Sequence, residues 1–123
     1  MIDYEEAQAA CETYIRSLAD SDVETLLALF DDTASIEDPV GTELREGKSA
    51  LREFYSVACE GVLSAALSGA PRLAGNEVAF PFTVTAGTPG EELTINIIDV
   101  FKFNEAGKVI SMRAFWGPNN IGS

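Results

Sequence analysis

Histidine is absent from this chain, and that absence narrows the chemistry more than any single motif does. Without an imidazole no side chain titrates near neutral pH at its ordinary value, and the commonest metal ligand is missing. Ser-His-Asp and Cys-His catalysis are excluded with it. Cysteine is scarce as well: Cys11 and Cys59 are the only two, too few for a disulfide framework and without a CxxC pair, so both are expected as reduced, buried packing residues. There is no GxGxxG and no P-loop, so nucleotide chemistry lacks its phosphate cradle. Neither a cofactor nor a metal is expected, and any catalysis must come from carboxylates, tyrosines and the shape of a pocket.

Positive charge is the next deficit. Eight basic residues face 20 acidic ones, for a formal net charge of −12, which repels a phosphate backbone. Nucleic acid is therefore not an expected partner, anionic membrane surfaces are disfavoured, and neutral or apolar small ligands are favoured. No apolar run is long enough to span a bilayer. The acidic start, Met1-Ile2-Asp3-Tyr4-Glu5-Glu6, lacks the basic flank and apolar stretch of a secretory signal, so a soluble, cytoplasmic protein is expected. With 123 residues, 46% of them hydrophobic, residues 1–123 fit a single domain around one core.

The first half of the chain has helical periodicity. Tyr4, Ala7, Ala10, Cys11, Tyr14, Ile15 and Leu18 recur at three- and four-residue intervals behind Asp3, a candidate N-cap, and predict a helix from about Tyr4 to Leu18. Ser21 or Asp22 can cap a second helix through Val23, Leu26, Leu27 and Phe30, with Glu24 completing a capping box with Ser21 and Asp31-Asp32 ending it. A short strand, Thr33 to Asp38, is expected to stop at Pro39-Val40-Gly41. A third helix, about Lys48 to Cys59, puts Leu51, Phe54, Tyr55 and Ala58 on one stripe.

The second half alternates with the period of a strand. Strands are expected near residues 62–68, 77–85, 92–103 and 108–116, with Asn104-Glu105-Ala106-Gly107 as a tight hairpin between the last two. Val78, Phe80, Phe82 and Val84 point inward around Pro81, which should mark a bulge or an unpaired edge position; Ile110, Met112, Ala114 and Trp116 alternate likewise. Helices followed by strands predict an α+β domain in which about three N-terminal helices close a curved antiparallel sheet around a pocket.

Asp99 breaks an apolar register. In Leu93 to Phe103, residues Leu93, Ile95, Ile97, Phe101 and Phe103 share a face with it. An ionised carboxylate is so unfavourable there that the group tends to hold a proton and become a donor, unless it is a structural Asp satisfied by backbone. Tyr14 and Asp38 are the other polar groups directed at the same pocket, although a helical Tyr is often a core residue and an Asp before a proline turn is often a turn cap.

These residues, in this order and spacing, resemble bacterial steroid Δ5-3-ketoisomerases. The likeness is carried by Thr13-Tyr14-Ile15, Ile36-Glu37-Asp38-Pro39-Val40-Gly41, Phe54-Tyr55, Ala79-Phe80-Pro81-Phe82, Ile98-Asp99-Val100 and the Met112…Trp116 pattern, and it extends from about Tyr4 to Trp116. It implies a cone-shaped fold like that of nuclear transport factor 2, a homodimer, and cofactor-free conversion of 3-oxo-Δ5-steroids to conjugated 3-oxo-Δ4-steroids through a dienolate. By the same resemblance Asp38 matches the proton-shuttling base, Tyr14 and a protonated Asp99 the oxyanion hole, and Tyr55 a tyrosine supporting Tyr14. A third tyrosine common in that phenol network is Phe30 here, which shortens it.

Leu18, Phe54, Phe82, Phe101, Met112 and Trp116 are the expected walls for a flat apolar steroid. The outer registers, Thr94, Asn96, Ile98 and Val100 with Val109, Ser111, Arg113 and Phe115, contain apolar members that suit a dimer interface. Two alternatives share the same residues: another cofactor-free enzyme of this fold, working by dehydration, cyclisation or epoxide hydrolysis, and a non-catalytic binder of steroids or other polycyclic ligands.

Overall fold

The computed structural model describes residues 1–122. Helix α1 spans Tyr4–Asp20 and begins as its sequence dictates. The Asp3 carboxylate accepts from the Glu6 N–H at 2.8 Å and the Glu6 carboxylate accepts from the Asp3 N–H at 3.2 Å, so two of the unpaired donors at the helix start are satisfied together. Its buried stripe is Ala7, Cys11, Tyr14, Ile15 and Leu18. Ser21 closes it in the left-handed region at φ 54°, and Asp22, whose carboxylate accepts from the Thr25 N–H at 3.1 Å, caps α2 (Val23–Leu27). The expected Ser21–Glu24 capping box does not form, because Ser21 is spent ending the previous helix.

Helix α2 is also shorter than its periodicity suggests. Phe30, which would continue the apolar stripe, instead opens β1 (Phe30–Glu37), where it pairs with Val109; the Val109 N–H donates to the Leu29 carbonyl at 2.9 Å. A buried aromatic satisfies either period, and the cross-chain pairing decides between them. Then follow β2 (Arg45–Glu46), α3 (Lys48–Glu60), β3 (Val62–Leu67), β4 (Arg72–Ala74), β5 (Glu77–Ala86), β6 (Leu93–Phe103) and β7 (Val109–Phe115). A 3₁₀ turn at Pro118–Asn120 leads into β8 (Ile121–Gly122).

The strands form one sheet in the order β2-β1-β7-β6-β5-β3, with β4 added to β5 and β8 to β6. It is not wholly antiparallel: β1 runs parallel to β7. Pro81 makes no bulge, since the register from Glu77↔Lys102 to Ala86↔Leu93 is unbroken. It lies where the other neighbour of β5 changes from β3 to β4, and its carbonyl accepts from the Ser68 N–H at 3.0 Å. A missing donor is tolerated at that break in the ladder. The bulge lies in β7, where pairing jumps from Lys102↔Ser111 to Phe103↔Val109 and leaves Ile110 as the extra residue. Val109 therefore turns inward and is fully buried, contrary to its expected place on the outer face.

The helices cover one side of the sheet, and Val78, Phe80, Phe82 and Val84 meet the stripe of α1 in a continuous core. On the far side Ile98 and Phe115, directly paired across β6 and β7, remain 47% and 41% exposed. Cys11 and Cys59 are free and buried, and burial pushes the Cys11 thiol up to about 12. Among the described residues no helix is long and apolar enough to cross a membrane.

Candidate active site

Between the helices and the sheet lies a cavity of about 250 Å³ that collects the polar exceptions of the sequence. Tyr14 and Leu18 reach it from α1, Phe54, Tyr55 and Ala58 from α3, and Asp38 from the end of β1. The sheet contributes Phe82, Val84, Ile95, Ile97 and Asp99, with Trp116 just past β7. Tyr14, Asp38, Tyr55 and Asp99, far apart in the chain, thus share one apolar chamber.

Tyr14 is held in place by aromatic neighbours. Tyr55, Phe80, Phe82 and Phe101 meet its ring edge to face, with centroids 5.9, 6.0, 6.4 and 5.0 Å away. Its hydroxyl lies 2.8 Å from that of Tyr55, so one donates to the other and the second proton remains available to a ligand. Phe30 packs against Tyr55 at 5.9 Å and adds no third hydroxyl. Burial raises both phenols well above their ordinary values, so both are neutral donors.

Asp99 is 1% exposed, and its Oδ1 has no hydrogen-bond partner among the described residues. It is therefore not satisfied by backbone. Burial drives its pKa well above the usual carboxyl range, and the negative charge of Asp38 acts in the same direction; the neighbouring Tyr14 hydroxyl opposes them. The carboxylic acid form, a donor, is the result.

Asp38 has a different environment. The parallel ladder holds it from both sides, with Glu37 paired to Arg113 before it and the Val40 N–H donating to the Ala114 carbonyl at 2.8 Å after it. The turn that follows needs Gly41, whose φ is +100°. Burial raises the Asp38 pKa, but the Trp116 indole N–H donates to its Oδ1 at 2.9 Å and the positive charge of Arg45 also favours the carboxylate. Two carboxyl groups in one chamber are thus differentiated: Asp99 has no compensating cation or indole, and Asp38 has both.

Of the expected wall residues, Leu18, Phe54, Phe82 and Trp116 line the cavity. Phe101 and Met112 do not. Both are fully buried behind the wall, Phe101 against the Tyr14 ring, so they support the chamber without facing it. Gly61, Val62 and Ala86, unremarked in the sequence, line the end where β3 meets β5 at the Val62↔Ala86 pair. Small and apolar, they carry no local signal; only the topology brings them to the chamber.

Residues 11–112 match the SnoaL-like domain family. The chain is 34% identical over 116 residues to a steroid Δ-isomerase of Nocardioides simplex, covering 94% of each protein. It is 33% identical over 110 residues to the epoxide hydrolase LasB of Streptomyces lasalocidi, covering 85% of this chain and 39% of that protein. The solved structure of SalBIII, an epoxide hydrolase/cyclase-like enzyme with a role in pyran ring formation in the polyether salinomycin, superposes with a TM-score of 0.89 at 30% identity, over 99% of this chain and 98% of that one. SalBIII thus shares the α+β architecture of three helices on an open curved sheet, and the chain belongs to the SnoaL-like family.

Proposed function

We propose that this protein is a steroid Δ-isomerase that converts 3-oxo-Δ5-steroids to their conjugated Δ4 isomers. The observation that carries the reading is the presence, in one apolar chamber, of a carboxylate stabilised by an indole and a pair of neutral donors, Tyr14 and Asp99. Similarity to the Nocardioides enzyme supports it.

The ketone oxygen accepts from the Tyr14 hydroxyl and from the protonated Asp99. Asp38 removes a proton from the carbon between the carbonyl and the double bond, giving a dienolate whose negative charge rests on that oxygen. The same carboxyl returns the proton to the far carbon of the former double bond, which moves the double bond into conjugation and regenerates Asp38. One base suffices because both carbons lie on the same side of a flat ring system. The two donors are preorganised in a site of low polarity, so they stabilise the charged intermediate more than the neutral ketone. Tyr55 donates to Tyr14 and keeps the Tyr14 proton directed at the substrate.

A second reading rests on the similarity to LasB and SalBIII. A protonated Asp99 could donate to an oxirane oxygen while Asp38 takes the proton of the attacking hydroxyl. One assay separates the readings: growth of conjugated-enone ultraviolet absorbance from a Δ5-3-ketosteroid, run beside product analysis of an epoxy alcohol. Isomerisation of the steroid is expected. Turnover of the epoxide alone would replace the proposal, and tight steroid binding without turnover would make the protein a carrier.

A further inference from the structure

The chamber shares its α3 wall with a second space. Phe54 and Ala58 line it on one side and on the other line an open groove of about 540 Å³, whose remaining walls include Glu43, Arg45, Glu53 and Val57. The chamber and the groove therefore adjoin at Phe54 and Ala58.

One charge in the groove is half-buried and without a partner among the described residues. Arg45 sits in β2 opposite Ile36, half-buried, with its guanidinium carbon 4.8 Å from the centroid of the Phe54 ring. With its guanidinium carbon over the ring, Arg45 still has N–H donors with no acceptor among the described residues. Among the described residues Arg45 is the one cation that is not fully exposed and has neither a hydrogen bond nor an ion pair; Lys48, the other half-buried cation, pairs with Asp32. A half-buried guanidinium without an acceptor is an incomplete arrangement in a chain with 20 acidic residues available to complete it.

We infer that Arg45 is a specificity residue of an extension subsite, and that it takes a carboxylate on a substrate side chain that projects beyond Phe54. The inference rests on the isomerase reading for the orientation of the ligand. Glu43 and Glu53 also border the groove, but both are exposed and screened by water, whereas Arg45 is partly shielded and stacked. They set the sign of a control: neutralising one of them should favour an anionic ligand, and neutralising Arg45 should disfavour it. Arg fits this role better than Lys because its fork holds both oxygens of a carboxylate while its face stays on the ring.

The test compares two Δ5-3-ketosteroids with the same rings, one ending in a ketone and the other in a side-chain carboxylate, at a pH where Asp38 is fully ionised. In Arg45→Met the ratio of kcat/KM for the acid to that for the neutral steroid should fall about tenfold, through KM. In Glu53→Gln the ratio should rise, and in the unmodified protein added salt should raise KM for the acid more than for the neutral steroid. A ratio unchanged in Arg45→Met, or equal losses on both substrates, would overturn the subsite. If neither steroid is isomerised by the unmodified protein, the isomerase reading fails. The subsite is then decided by titrating the two conjugated ketones and reading Trp116 fluorescence. A Kd ratio that still falls in Arg45→Met upholds Arg45, and one that does not removes it.

Discussion

The indole N–H of Trp116 donates to the Asp38 carboxylate at 2.9 Å, and so the residue after β7 favours the ionised form of the residue after β1. A donor to the carboxylate favours its ionised form, against the burial that raises its pKa. Trp116→Phe keeps an aromatic wall and removes the donor. The acid limb of the kcat/KM profile should move to higher pH in that variant, with turnover recovering at alkaline pH. An unmoved limb would detach Trp116 from the base.

Asp38→Asn keeps the shape of the base and cannot accept a proton. The rate constant for isomerisation should fall by about 10²–10⁴, while affinity for a conjugated steroid, read by fluorescence titration, stays within a few-fold. Near-normal turnover would remove Asp38 from the mechanism.

Tyr14→Phe and Asp99→Leu each delete one donor to the ketone oxygen, and each should cost about 10²–10³ in turnover. Asp99→Asn should be milder than Asp99→Leu, because an amide still donates. Equal damage from the two Asp99 variants, in protein with unchanged circular dichroism, would argue that Asp99 works as a carboxylate. The two donors act on one developing charge, so the double variant should depart from additivity.

Asp99 also couples stability to pH, with a sign opposite to that of a salt-bridged carboxylate. Its pKa is raised from 3.8 by folding, so the folded state holds a proton that the unfolded chain has released. That contribution is complete below the unfolded pKa and is lost as pH rises toward the folded one, at up to about 1.4 kcal/mol per pH unit. Asp99→Asn cannot titrate. Thermal melts from pH 4 to 8 should show the unmodified protein losing stability relative to Asp99→Asn as pH increases; parallel curves would mean that Asp99 is ionised in the folded state.

Ile98 and Phe115 pair on the outer face of the sheet and leave an apolar strip in water. We propose that a second copy of the chain covers it. Light scattering at micromolar concentration should give twice the 13.2 kDa chain mass, and Phe115→Glu should return it to the monomer. A monomer mass for the unmodified protein would dismiss the dimer.

How far the sequence discloses this site depends on how local each signal is. Asp99 is legible because a period of two sets it among five hydrophobes, and the structure leaves it buried with an unpartnered oxygen. Asp3, the α3 stripe and the hairpin at residues 104–107 are legible for the same reason: each is decided within a few residues. Phe30 is not, because a buried aromatic fits a helix end and a strand start equally well. Val109 is misplaced by the extra residue at Ile110, which reverses the alternation beyond it. The wall residues depend on depth, which periodicity does not encode, so Phe101 and Met112 share an inward register with cavity residues yet lie behind them. The parallel pairing of β1 with β7 is the least local of all, and with it the Trp116–Asp38 bond.

That pairing has a kinetic meaning. Asp38 and Trp116 are 78 positions apart, and the ladder that aligns them joins an early strand to a late one. Contacts of such long reach require closure of a large loop before they yield any stabilisation, so they belong to the slow part of folding. Helix α1 can cap and coil from its own residues long before that, carrying Tyr14 with it. The hydroxyl donor is thus placed early and the base is tuned late: Asp38 is made before β6 and β7, but it gains its indole partner only when β7 has joined the sheet beside β1.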